Sequence, residues 1–177
     1  MHSSDNIIHS ERWFVINNDS LIRERKCELV VDCDINSTFI FLNDPLNTQR
    51  WMKEVKLIRM IHKESQNRNC AYTIFKLPWP FDDKDLVTSY KSVILDSDHY
   101  RIQVRSVENV IQEFPNIDRI KGYQATWEMT RIKENKTMIV YTVVSDIQPI
   151  VPRFIQDPIV LKVCIQDFAM LKQLLSQ

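Results

Sequence analysis

The stretch from Pro152 to Leu175 constrains this chain more than any other, because it is the longest apolar segment and its spacing is helical. Asp157-Pro158 is a start signal: a carboxylate can cap free backbone N–H groups and proline fits the first helical position, so the main helix is predicted to begin at Pro158. At 100° per residue, Val160, Leu161, Val163, Cys164, Ile165, Phe168, Leu171, Leu174 and Leu175 cover an arc of roughly 200°, about twice the stripe of an ordinary surface helix. Lys162, Gln166, Gln173 and Ser176 form a narrow wet side. Such a helix must be enclosed on most of its circumference, and a curved sheet can enclose it. Asp167 breaks the pattern, projecting between Val163, Leu174 and Val160.

The residues ahead of this helix supply the sheet. Residues 1 to 12 are polar and predicted to be loose, and Trp13 to Ile16 is a short strand or a docked turn before the turn cluster Asn17-Asn18-Asp19-Ser20. From Leu21 to Cys33, Cys27, Leu29, Val31 and Cys33 alternate with polar neighbours, the mark of a strand with one buried face. Asn36 or Ser37 can cap a short helix through Phe39, Ile40 and Leu42, which Asp44-Pro45 ends. Val55, Leu57, Arg59 and Ile61 alternate in a strand that Gln66 to Asn69 turns into Cys70 to Leu77, forming a hairpin. Pro78 and Pro80 remove ladder donors, so the chain leaves the sheet there and re-enters near Leu86. Strands follow at Leu86–Leu95 and His99–Val107 around the turn Asp96-Ser97-Asp98, then a long loop from Glu108 to Arg119. Gly122 to Ile132 alternates most cleanly, with Tyr123, Ala125, Trp127 and Met129 on one face, and Lys133 to Lys136 turns it into Thr137 to Ser145. Hairpin-joined strands followed by one long helix imply an α+β fold, a curved antiparallel sheet around the C-terminal helix with an internal apolar cavity.

Composition removes several function classes. The 177 residues fit one domain, 1–177, with 1–20 as a polar N-terminal extension. Lys plus Arg and Asp plus Glu both number 23, so no net charge attracts nucleic acid or an anionic bilayer, and no nucleic-acid partner is predicted. No apolar run reaches the ~20 residues of a membrane span, and the start lacks the build of a signal peptide, so a cytoplasmic protein is expected. The single glycine, Gly122, excludes glycine-rich phosphate loops. Cys27, Cys33, Cys70 and Cys164 form no C-x-x-C pair and read as buried free thiols. His2, His9, His62 and His99 stand at no metal-ligand spacing, so neither metal nor cofactor is expected.

Leu77-Pro78-Trp79-Pro80-Phe81-Asp82-Asp83-Lys84-Asp85-Leu86-Val87 resembles the signature of START domains, the steroidogenic-acute-regulatory-related lipid transfer family of the helix-grip superfamily. Trp51, Trp127, Lys136-Thr137 with Val140-Tyr141, and Pro152 are similar to that pattern too, so the resemblance runs from about Arg23 to Leu175. It implies a helix-grip fold holding a lipid or other apolar molecule. Three positions depart from it: Lys84 stands for the usual arginine, Asp146-Ile147-Gln148-Pro149 for Asp-Pro-Gly-Gly, and Tyr90 for a buried arginine of some sterol-binding members.

Inward-pointing positions nominate the cavity wall: Tyr72, Ile74, Tyr90, Ser92, Ile102, Tyr123, Trp127 and Met129 from the strands, and Asp167, Phe168 and Leu171 from the helix. Aromatic bodies there give apolar contact, while hydroxyls and the indole N–H orient a ligand. Pro78, Trp79, Pro80 and Asp85 are expected to shape the strand crossover, with Asp85 accepting hydrogen bonds from backbone or Lys84. Val110, Phe114 and Ile117 make the long loop a candidate gate. The expected function is binding, and transport or sensing, of a lipid or other hydrophobic small molecule by a monomeric, non-enzymatic protein with transient membrane-surface contact. A polyketide cyclase or aromatase of the same superfamily is the alternative, with Asp167 and Tyr90 or Tyr123 as its acid/base set and no further catalytic residue. An interaction module with a filled core is the third class.

Overall fold

The computed structural model describes residues 2–4, 7–16, 20–65, 68–79, 81–144 and 152–177. Strands β1 (His2–Ser4), β2 (Ile7–Ile16) and β3 (Ser20–Val31) precede helix α1 (Ile35–Asn43) and a 3-10 helix (Pro45–Arg50). Strands β4 (Val55–Ser65), β5 (Arg68–Phe75), β6 (Lys84–Ile94), β7 (His99–Ser106), β8 (Asp118–Arg119), β9 (Gln124–Lys133) and β10 (Lys136–Val144) follow, and helix α2 (Arg153–Leu175) closes the chain. Nine strands run antiparallel in the order β1-β2-β3-β10-β9-β7-β6-β5-β4, and β8 pairs in parallel with the first residues of β6. The curved sheet holds α2 over β2 and β3, while α1 covers β7, β9 and β10.

Several local expectations change. The polar start is strand rather than loose chain, with β1 and β2 extending the sheet beyond β3. The cap of α1 is Asp34, whose carboxylate accepts from Asn36 N at 2.9 Å and Ser37 N at 3.0 Å; Asp44 caps the 3-10 helix through Leu46 N. Helix α2 begins at Arg153, with Pro158 inside it. Asp157 is drawn into a bidentate pair with Arg23 of β3, at 2.7 and 2.8 Å, and does not cap α2. Its pKa is held below the ordinary carboxylate range by those bonds. The wide apolar arc of α2 is only partly enclosed: Phe168, Leu171 and Leu175 are buried, whereas Val160, Leu161, Val163 and Ile165 are half-buried.

Phase along the strands decides what reaches the inner face. Cys27, Leu29 and Val31 of β3 and Ala125, Trp127 and Met129 of β9 are all buried, as their alternation predicts. On β4 the register shifts between Val55 and Leu57, and the extra residue flips the phase, so Ile58 is buried and Leu57 is 41% exposed. The turn residues Asn17 to Asp19, Pro80, and Asp146 to Pro149 lie outside the described residues.

Candidate functional site

Antiparallel registers line up the inner-face residues in rungs across the sheet. One rung runs His9, Cys27, Tyr141, Trp127, Ile102, Ser92 from β2 to β6. The next runs Val143, Ala125, Val104, Tyr90, Asn69 from β10 to β5. Above them, α1, the 3-10 helix and Trp51-Met52 form a cover, and Phe168 descends from α2. The Trp127 ring lies 4.3 Å from Tyr141, 5.9 Å from Trp51 and 5.9 Å from Phe168, an aromatic knot in the middle of the grip.

Beside this knot is a small, partly open cavity of about 60 Å³. Its floor comes from Thr73, Leu86, Thr88, Tyr90 and Val104, and its cover from Phe41, Leu42, Thr48, Trp51 and Met52; Tyr123, Trp127 and Tyr141 close one side. The walls are mostly apolar, with several hydroxyls and, at the cover, Asp44. Tyr123 and Tyr141 share a hydrogen bond of 2.7 Å. Burial pushes the phenols of Tyr90, Tyr123 and Tyr141 above the ordinary tyrosine range, so all three stay protonated donors across the physiological range. An open polar cleft of about 420 Å³ lies on the other side of Tyr90, lined by residues including His62, Asn69, Lys91 and Arg105. Tyr90 thus belongs to both spaces.

The nominated residues divide between this cavity, the solid core and the opposite face. Tyr90, Tyr123 and Trp127 line the cavity. Ile102, Met129, Phe168 and Leu171 are core residues around it, and Ser92 is buried with its Oγ lacking a hydrogen-bond partner. Asp167 stands apart from the cavity wall, accepting from Lys53 N at 3.4 Å. Burial, reinforced by the neighbouring Glu54 carboxylate, raises its pKa to about 7. Asp167 therefore does not join Tyr90 and Tyr123 in one acid/base group.

Tyr72 and Ile74 face the other way, because Ala71, Thr73 and Phe75 take the inner side of β5. The Tyr72 hydroxyl donates to Asp85 Oδ2 at 3.0 Å, and Arg119 Nη2 donates to the same oxygen at 2.9 Å. Asp85 is fully buried and the Arg119 side chain nearly so; Lys84 pairs instead with Asp118 at 3.0 Å. Burial and Asp85 push the Tyr72 phenol up to about 12. Arg119 also donates to Ile111 O at 3.2 Å, and Phe114 lies 6.3 Å from Tyr72. The loop carrying Val110, Phe114 and Ile117 is thereby fastened over the outer face of β5 and β6, across the sheet from the cavity. Placed there, these residues do not cover its mouth.

The cover was missed as part of the site. Phe41, Leu42, Trp51, Met52 and Tyr141 all line the cavity. Of these only Tyr141 carried a strand-parity signal, as the residue opposite Trp127 across the Lys133–Lys136 turn. A second grouping also went unseen: Cys27 Sγ and Cys164 Sγ are 3.2 Å apart. That hydrogen bond holds the Cys164 thiol below its ordinary range and pushes Cys27 up. The four cysteines are free.

No protein-family model and no curated protein sequence matches the chain. Solved structures do. A STAR-related lipid transfer protein from Xanthomonas axonopodis superposes with a TM-score of 0.81 at 16% identity, over 100% of this chain and 97% of that one. Human StAR-related lipid transfer protein 5 gives 0.84 at 13% identity, over 99% and 84%. The lipid transfer and protein localization domain of human StarD13 gives 0.77 at 12%, over 99% and 87%. With the sheet order, the terminal helix and these superpositions together, the chain has the START-type helix-grip fold.

Proposed function

We propose that this protein is a carrier or sensor that encloses one hydrophobic molecule, of lipid character, between the sheet, the Phe41–Met52 cover and α2. The observation that carries this reading is the cavity: mostly apolar walls with the phenols of Tyr90, Tyr123 and Tyr141 set into them give an apolar body contact and a polar group a partner. The lipid transfer names of the structures it superposes on support the same reading. Removal of ligand surface from water, at roughly 25 cal/mol per Å², supplies the affinity.

At about 60 Å³ the cavity is far below the ~300 Å³ of a small-molecule site, so loading requires the cover to lift and Trp51 to leave Trp127. Within the cover Asn47 Nδ2 donates to Phe41 O at 3.0 Å, and Asn69 Nδ2 of β5 ties the cover to the sheet through Asn43 O at 3.3 Å, a bond that must break for the cover to lift. It opens beside Tyr90, towards the polar cleft. The small cavity also favours a second reading, a filled interaction module that docks a protein.

Native mass spectrometry followed by solvent extraction, with quenching of Trp51 and Trp127 by a lipid brominated on its acyl chain, tests the proposal. One bound apolar mass per chain, and quenching that falls when either tryptophan is replaced by phenylalanine, are expected. A protein that stays empty and unquenched with brominated lipids and sterols would overturn the carrier reading in favour of the filled module.

A further inference from the structure

The rung that begins at His9 meets α2 at its second residue, Cys27. Cys27 of β3 sits directly across from His9 of β2 and points at Cys164, which α2 brings down from above. The ligand-capable atoms of His9, Cys27 and Cys164 all lie within 4.8 Å of one another, and His9 and Cys27 are buried. Among the described residues no other three His, Cys, Asp or Glu side chains converge this way. We propose that His9, Cys27 and Cys164 form a binding site for one thiophilic closed-shell metal ion, Zn²⁺ or Cu⁺.

The donor chemistry selects this class of ion. Two sulfurs and one imidazole nitrogen form a soft set that suits Zn²⁺ or Cu⁺ and excludes Mg²⁺ and Ca²⁺, which take oxygen ligands. A zinc or copper ion bonded to both sulfurs at about 2.3 Å holds them about 3.8 Å apart. Here they are 3.2 Å apart, so a small rotation about the two Cα–Cβ bonds admits the ion. Glu11 lies 3.8 Å from His9 Nε2, but Arg23 and Arg25 hold its two oxygens and it stands outside the three-residue group, so a tetrahedral zinc takes a water as its fourth ligand. Binding releases the thiol protons: the aquated ion and two thiols give a dithiolate complex and two protons in solution. Because the three ligands come from β2, β3 and α2, the bound ion ties the helix to the sheet at the rung that also carries Tyr141 and Trp127.

The test uses the full chain, reduced and desalted after incubation with either Zn²⁺ or, without oxygen, Cu⁺. The expected result is one ion retained per chain, with alkylation of Cys27 and Cys164 by iodoacetamide slowed at least about tenfold while Cys33 and Cys70 react as before. Matched chelator competition assigns the ion. Cys27→Ser and Cys164→Ser are expected to lose retention, and Cys33→Ser to keep it. If a serine variant does not fold, the alkylation map of the unaltered chain still decides. Retention of less than about a tenth of an ion per chain, or equal protection of all four cysteines, overturns the proposal. A Cys27–Cys164 crosslink forming in air, with no metal held by the reduced protein, overturns it as well and assigns the pair to a disulfide.

Discussion

Replacing Asp85 by alanine tests the account of the outer face most sharply. In the folded protein its carboxylate is fully buried and accepts from Arg119, whose side chain is 4% exposed, and from the Tyr72 hydroxyl at 3.0 Å. Its removal leaves a guanidinium and a phenol in a dry place without their acceptor. Breaking a buried ion pair from one side costs about 3 to 5 kcal/mol, because the remaining charge stays desolvated. Set against a total stability of about 5 to 15 kcal/mol, this is a large share of the whole. The melting temperature should fall by roughly 6 to 20 °C, at about 2 to 4 °C per kcal/mol for a chain of this size. Arg119→Met alone should cost about as much, since it leaves the fully buried Asp85 carboxylate with the Tyr72 hydroxyl but no cation and removes the bond to Ile111 O. The double variant Asp85→Leu, Arg119→Met should recover much of the loss, as apolar side chains of similar volume replace the pair. Urea unfolding at pH 7 of the unaltered chain, Asp85→Leu, Arg119→Met and their double variant gives the coupling energy directly, alongside Asp85→Ala. A loss below about 1 kcal/mol for Asp85→Ala, or a coupling near zero, would show that the pair is hydrated and that the loop over β5 and β6 is not pinned as described.

Other perturbations reach the remaining parts of the grip. Phe168→Ala, which empties the centre of the aromatic knot, should cost about 3 to 5 kcal/mol in the same urea assay; a loss under about 1 kcal/mol would mean that α2 is not seated there. Asp167 binds its proton more tightly folded than unfolded, so between about pH 4 and pH 7 the native state carries the extra proton and stability falls as pH rises through that window. Asp167→Asn should therefore flatten the pH dependence and stabilise the protein at pH 8, as read from denaturation midpoints at pH 5 and pH 8. Asp34→Ala removes the acceptor for Asn36 N and Ser37 N and should cost about 1 kcal/mol, with faster amide exchange across α1.

The strands with one wet face were legible from their residues. Cys27, Leu29 and Val31, and Ala125, Trp127 and Met129, alternate against polar neighbours, and a single hydrophobic period fixes which side is buried. The terminal helix and the signature around Pro78 and Asp85 added the sheet wrapped round it. Tyr72 and Ile74 were not legible, because β5 and β6 are covered on both faces, by the cavity side and by the 107–121 loop, and a doubly covered strand has no polar phase to read. The bulge after Val55 reversed a phase that counting by twos carries forward unchanged. Asp157 had the spacing of a cap, yet a cap is worth about 1 kcal/mol, and Arg23, distant in sequence, offers a charged bidentate partner. The cover over the cavity and the meeting of His9, Cys27 and Cys164 depend on residues brought together by sheet register and helix docking. Sequence spacing specifies the face a residue occupies on its own element; which faces meet is decided only when the elements pack.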